Sequence, residues 1–201
     1  MPSASPATTQ PARLWNRGEV IGAAVLALAG IAWFGWAQDD PPSSWVPFLA
    51  AGSVVSAVLL VALLVLLVRR RTAGISAMAD PRVRRGYWVT VAVEVVLIVG
   101  GNLVLAATGH PEYDAAWTLF VVGVHFVPLA RIFQGPGLAV AGVVTALVAV
   151  LAAVIGLASD LAPSAAAGAG GGIVFVGYAV WVLVAGRGEC EPADAEAGSV
   201  A

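Results

Sequence analysis

Six long apolar segments divide this chain, and they set the strongest limit on its fold. Each is close to the ~20 residues that an α-helix needs to cross ~30 Å of hydrocarbon. Between them lie the stretches QDDPPSS, TGHPEYD, QGPG and SDLAPS, whose residues favour turns over helices. The predicted spans are Val20–Ala37, Trp45–Val68, Tyr87–Ala107, Ala115–Phe133, Leu138–Ala158 and Ala165–Gly186.

Composition agrees with a membrane protein. The chain is 60% hydrophobic and 11% charged, whereas soluble domains carry about 25% charged residues. Only helices and closed barrels satisfy their backbone hydrogen bonds inside a bilayer. We therefore predict an all-α integral membrane protein, a bundle of six transmembrane helices at residues 19–187. The polar stretches 1–18 and 188–201 are predicted to be disordered cytoplasmic tails.

Arginine distribution predicts the orientation. All ten basic residues are arginines, and in a six-helix arrangement they fall on one side of the membrane. The acidic residues Asp39, Asp40, Glu112, Asp114 and Asp160 fall on the other side. Because basic residues stay in the cytoplasm, both termini are predicted to be cytoplasmic. An alanine-, valine- and glycine-rich chain without lysine favours a GC-rich bacterium, and hence its inner membrane.

The first span could instead be a signal peptide, since it follows Arg13 and Arg17. Signal peptides have apolar regions of about 7–15 residues that end in small residues. This span is longer and ends in aromatic residues, which favours a retained helix.

One group of arginines lies between the second and third spans. It has two interpretations: a topology signal against anionic headgroups, or a docking site for a specific lipid or cytoplasmic partner. The first is preferred because topology alone requires such a loop. The group consists of Arg69, Arg70, Arg71, Arg82, Arg84 and Arg85.

One acidic residue, Glu94, and one histidine, His125, lie within the predicted spans. Glu94 is seven residues from Tyr87, and His125 is six residues from Arg131, which places each roughly 9–10 Å from the same membrane face. Their helices are joined by a short turn and are predicted to be antiparallel neighbours. We therefore expect the carboxylate and the imidazole to face each other.

A second polar tier is predicted further toward the acidic side, where Asn102 and Thr118 should share a depth. Buried polar groups are costly in lipid and usually functional. The Glu94–His125 pair could relay a proton or contact a cation or substrate. Alternatively, it could be a clasp that only holds two helices together, worth roughly 0.6 kcal/mol.

Two further patterns concern helix packing. Gly168 and Gly172 have the spacing that lets helices approach closely, either within the bundle or in a dimer. PFLAAGSVVSAVLLV (47–61) resembles PGLAVAGVVTALVAV (136–150), as an inverted repeat of three helices would require. Chance is the alternative, since membrane helices use few residue types.

Several functions lack their residues. There is no HExxH, GxSxG, CxxC or phosphate-binding glycine loop, and Cys190 alone forms neither an intrachain disulfide nor a cysteine metal site. We predict no metal, no cofactor and no nucleic-acid partner. The lipid bilayer is the predicted partner, with a second copy or another membrane protein possible. The leading hypothesis is a small transporter that uses Glu94 and His125. The main alternative is an accessory or scaffold subunit, and an intramembrane enzyme ranks third.

Overall fold

Six long helices dominate the computed structural model, which describes residues 14–69, 72–73, 77–133, 135–185 and 187–188. All six are long and apolar enough to cross a membrane, which confirms the predicted helical class and the predicted number of long apolar helices. The helices are α1 (Arg17–Trp36), α2 (Val46–Val68), α3 (Pro81–Thr108), α4 (Asp114–Phe133), α5 (Pro136–Ala158) and α6 (Pro163–Ala185). Single 3-10 turns occupy Ser43–Trp45, Ala77–Ala79 and Pro111–Tyr113.

Helix α3 begins at Pro81, not at Tyr87 as predicted. The Asp80 side chain accepts a hydrogen bond from the backbone N–H of Arg82 at 2.8 Å, and proline suits the first helical position. Arg82, Arg84 and Arg85 therefore lie in the first turns of α3, and their placement in a loop was wrong. At the other end, Gly109 stops the helix in the left-handed conformation, with φ of 81°.

A small three-stranded sheet was not predicted. Strand β1 (Leu14–Asn16) pairs in parallel with β2 (Thr72–Ala73) and antiparallel with β3 (Arg187–Gly188). The prediction of a disordered tail was therefore wrong for residues 14–18, which form β1 and the start of α1, and for Gly188. The rest of both predicted tails, 1–13 and 189–201, lies outside the described residues. These short segments lack the alternating pattern of a strand, so only their convergence at one end of the bundle reveals the sheet.

Helix α6 lies at the centre of the bundle, where it contacts α1, α2, α4 and α5. Helices α4 and α5 pack closely, as do α1 with α2 and α1 with α6. Helix α3 packs along α4, makes no substantial contact with any other long helix within the described residues, and has no buried residue. It is therefore an edge helix, and most of its apolar surface is exposed.

The glycine-rich stretch of α6 makes its central position possible. A side chain at Gly168 would meet the Trp33 carbonyl oxygen at 2.6 Å, and one at Gly172 would meet the Phe34 ring at 2.7 Å. Both glycines thus bring α6 against α1 inside the chain, as the packing interpretation expects.

The repeat-like helices α2 and α5 share local geometry. Ser56 and its aligned partner Thr145 are both buried, and each donates its hydroxyl to the carbonyl four residues earlier, at 2.9 Å and 2.7 Å. The third helices differ, however. Helix α6 packs against α5, whereas α3 has no substantial contact with α2 in the part of the chain that the structure describes. The likeness therefore does not extend to a symmetric pair of three-helix units.

Candidate functional site between α3 and α4

The interface between α3 and α4 is an antiparallel contact with polar groups at several levels. At one end, the ring of Tyr87 lies 6.2 Å from that of Phe133. Moving along the interface, Glu94 meets His125, and then Asn102 meets Thr118. The residue numbers in each pair add to nearly the same sum, as expected for antiparallel helices that pack along their length. We refer to this interface as the α3–α4 seam.

The central contact joins a carboxylate to an imidazole. His125 Nε2 lies 3.5 Å from Glu94 Oε2, and the two side chains are 7% and 18% exposed. The predicted proximity is thus observed. The distance is slightly longer than a usual hydrogen bond of ~2.7–3.2 Å, so a small inward movement of either side chain is enough to form the bond. The remaining exposure of Glu94 is a consequence of its position on the edge helix.

A neighbouring hydroxyl on α3 is already hydrogen-bonded within its own helix. The hydroxyl of Thr90, one turn before Glu94, donates to the Gly86 carbonyl at 2.8 Å. The Nδ1 atom of the His125 ring is buried and makes no hydrogen bond. The imidazole therefore has one nitrogen directed at the carboxylate and the other free.

The second tier also forms a contact. Asn102 Nδ2 donates to Thr118 Oγ1 at 3.3 Å, and Thr118 is buried. Asn102 Oδ1 is buried without a hydrogen-bond partner. The structure thus brings together all four residues that were predicted for a polar pathway, in two pairs.

Trp117 was missed by the sequence analysis. Its indole N–H donates to the Leu97 carbonyl at 3.0 Å, and its ring occupies the space that a side chain at Gly101 would fill. Helix α3 continues without interruption through Gly100 and Gly101. The sequence could have indicated this contact only through the alignment of the two antiparallel helices. Once Glu94 is placed opposite His125, Trp117 falls opposite Gly101.

Pro128 lies inside α4, three residues after His125, and the helix continues through it. Proline has no N–H to give, so the Val124 carbonyl lacks its usual helical partner. Even so, the imidazole of His125 reaches Glu94 from a continuous helix.

The arginine group is only partly described. Arg69 caps the end of α2 and is exposed, and Arg82, Arg84 and Arg85 are exposed at the start of α3. Arg70 and Arg71 lie outside the described residues. Because β1, β2 and β3 meet in one sheet, β2, which follows α2 in the chain, lies at the same end of the bundle as the start of α1 and the strand after α6.

No known protein family, curated protein or solved structure matches this chain. The function must therefore be argued from the residues of the seam themselves. Within the described residues, no group of three or more histidine, cysteine, aspartate or glutamate side chains is placed to hold a metal ion.

Proposed function

We propose that this protein is a small transporter of a bacterial cytoplasmic membrane and that the α3–α4 seam is its polar route. The observation that carries the proposal is the contact between Glu94 and His125, 3.5 Å apart at the interface of two mainly apolar helices. Ionisable groups at such positions are expensive, and they commonly serve ion and proton pathways. The Asn102–Thr118 contact extends the polar line along the same interface.

The edge position of α3 supports a moving part. Alternating access requires one helix group to shift against another around a fixed site. Helix α3 has no buried residue and is held mainly by α4, so it can separate from α4 without disturbing the contacts of α6 with α1 and α5. The seam is therefore the interface at which an opening movement costs least.

The test is ion flux across a sealed membrane. Purified protein in liposomes should carry protons or cations in response to an imposed membrane potential, and Glu94→Gln should abolish that flux. Glu112→Gln, which changes an exposed acid in the turn before α4, is the matched control and should leave it unchanged. Equal flux through the wild type and Glu94→Gln would contradict the proposal.

A second candidate is an accessory subunit that packs against a larger membrane protein. It is favoured by the exposed apolar surface of α3, which includes Val96, Leu103 and Val104 at more than half exposure. In that case the Glu94–His125 pair is a clasp between helices. Wild-type flux no greater than that of empty liposomes, together with a folded Glu94→Gln variant, would favour this candidate.

We further propose that the arginine-rich end of the bundle faces the cytoplasm. Single cysteines at Ala79 and Ser43, both exposed and at opposite ends of the bundle, would be introduced in a Cys190→Ala background. An impermeant thiol reagent added to intact cells should label position 43 and spare position 79. Labelling of position 79 alone would show that the arginine-rich end faces the outside.

A further inference from the structure

We infer that the ion held at the Glu94–His125 pair is a proton and not a metal cation, an inference that rests on the function proposed above. Metal cations and protons differ in the number of protein groups that must bind them. A metal cation needs several ligands at once, whereas a proton needs one donor and one acceptor.

Hard cations are poorly served at this position. Calcium and magnesium take about six or more oxygen ligands, and Glu94 is the one acid at this level of the seam, since Asp114 lies eleven residues from His125 at the start of α4. The Thr90 hydroxyl is already bonded to the Gly86 carbonyl. Asn102 is eight residues further along α3, about 12 Å away, and cannot share an ion with Glu94. Helices α3 and α4 are also unbroken. Apart from the Val124 carbonyl, which Pro128 leaves without its helical partner, they therefore lack the unwound carbonyls that coordinate sodium in many transporters.

The pair offers too few ligands to bind a transition metal. An imidazole and a carboxylate suit zinc, but zinc sites have at least three protein ligands. Glu94 and His125 supply two, and no described histidine, cysteine, aspartate or glutamate completes such a group. The pair is therefore too small a site for these ions.

A proton fits the pair as it stands. The O–H bond at Glu94 Oε2 breaks as an N–H bond forms at His125 Nε2, which leaves a carboxylate beside an imidazolium. The buried Nδ1, which has no partner, can then release the second proton of the ring to a water. Buried polar atoms without a protein partner are commonly satisfied by water, and Asn102 Oδ1 is a second such atom in the same seam.

Few other titratable groups face the pair. Helix α5 has none, and α6 contributes Tyr178 alone. Helix α3 adds Tyr87 near one end of the seam. At the other end, Glu112 lies in the turn before α4 and Asp114 is the first residue of α4. The arginines nearest in sequence are Arg82, Arg84, Arg85 and Arg131. The exchange of protons at the pair is therefore governed mainly by its own two members.

The experiment uses dicyclohexylcarbodiimide, an apolar reagent that adds the O–H of a protonated carboxyl group across its N=C bond. Glu94 is open to it because α3 faces the lipid and the side chain is 18% exposed. The full chain in detergent or liposomes would be labelled at several pH values, with and without sodium, potassium, magnesium or zinc ions at constant ionic strength. Labelling at Glu94 and at Glu112, an in-chain reference, would be read from peptide masses.

If the ion is a proton, Glu94 labelling should fall about tenfold between acidic and alkaline buffer, and none of the metal ions should change it. Protection of Glu94 by a metal ion at fixed pH, with Glu112 unaffected, would overturn this inference and leave the proposed transport function standing. A Glu94 that never reacts while Glu112 does would overturn both. The Glu94→Gln variant must show no label on this peptide, which confirms the assignment.

Discussion

Replacing His125 by leucine is expected to lower the free energy of unfolding by about 1–3 kcal/mol, because it leaves the Glu94 carboxyl without a partner in an apolar interface. Replacing Glu94 by leucine should have a similar effect, since it strands the imidazole. The double replacement removes both polar groups at once. Its cost should therefore be smaller than the sum of the two single costs by about 0.5–3 kcal/mol.

The measurement is denaturant or thermal unfolding of the wild type, both single variants and the double variant in one detergent. Thr145→Val provides the control, because Thr145 bonds within its own helix α5 and no contact with Glu94 is described. Combined with Glu94→Leu, it should give costs that add to within about 0.5 kcal/mol. Additive costs for Glu94 and His125 as well would show that the two side chains do not interact.

Two adjacent glycines in α3 should respond in opposite directions to alanine. A methyl group at Gly101 meets the Trp117 indole, so Gly101→Ala should displace the ring, break its bond to the Leu97 carbonyl and cost about 1–3 kcal/mol. At Gly100 nothing lies within 4 Å. Gly100→Ala should be neutral or stabilise the helix by about 0.5–1 kcal/mol.

The same two variants also test whether the lost stability comes from the contact between α3 and α4. Disulfide formation between cysteines at positions 98 and 121 would report whether α3 stays on α4. Gly101→Ala should reduce the yield and Gly100→Ala should not. Equal stability of the two variants would mean that Trp117 does not pack on Gly101.

The central pair could be predicted because its evidence is local. Glu94 and His125 lie at countable distances from the arginine-marked end, and the short turn through Gly109 makes their helices neighbours. The isolation of α3 could not be predicted in the same way. In lipid, both the packed and the exposed faces of a helix are apolar, so the residues around Val96 do not differ in character from those that face a neighbour.

The small sheet and Trp117 illustrate a second limit. Residues 14–16, 72–73 and 187–188 are far apart in sequence and too short to show a strand pattern. Their pairing depends on the packing of the helices, which brings the three segments together at one end of the bundle. Trp117 suits a membrane interface as well as an interhelical contact, and only the register of α3 on α4 separates these roles.

The pairing of β1 with β3 has a consequence for the order of biosynthesis. Leu14 lies opposite Gly188, so a segment translated first is matched to one translated after all six helices. Until residue 188 has been synthesised, β1 can pair with β2 along one edge, but the strand for its other edge does not yet exist. A chain arrested before Arg187 therefore cannot complete this junction, however many of its helices have formed.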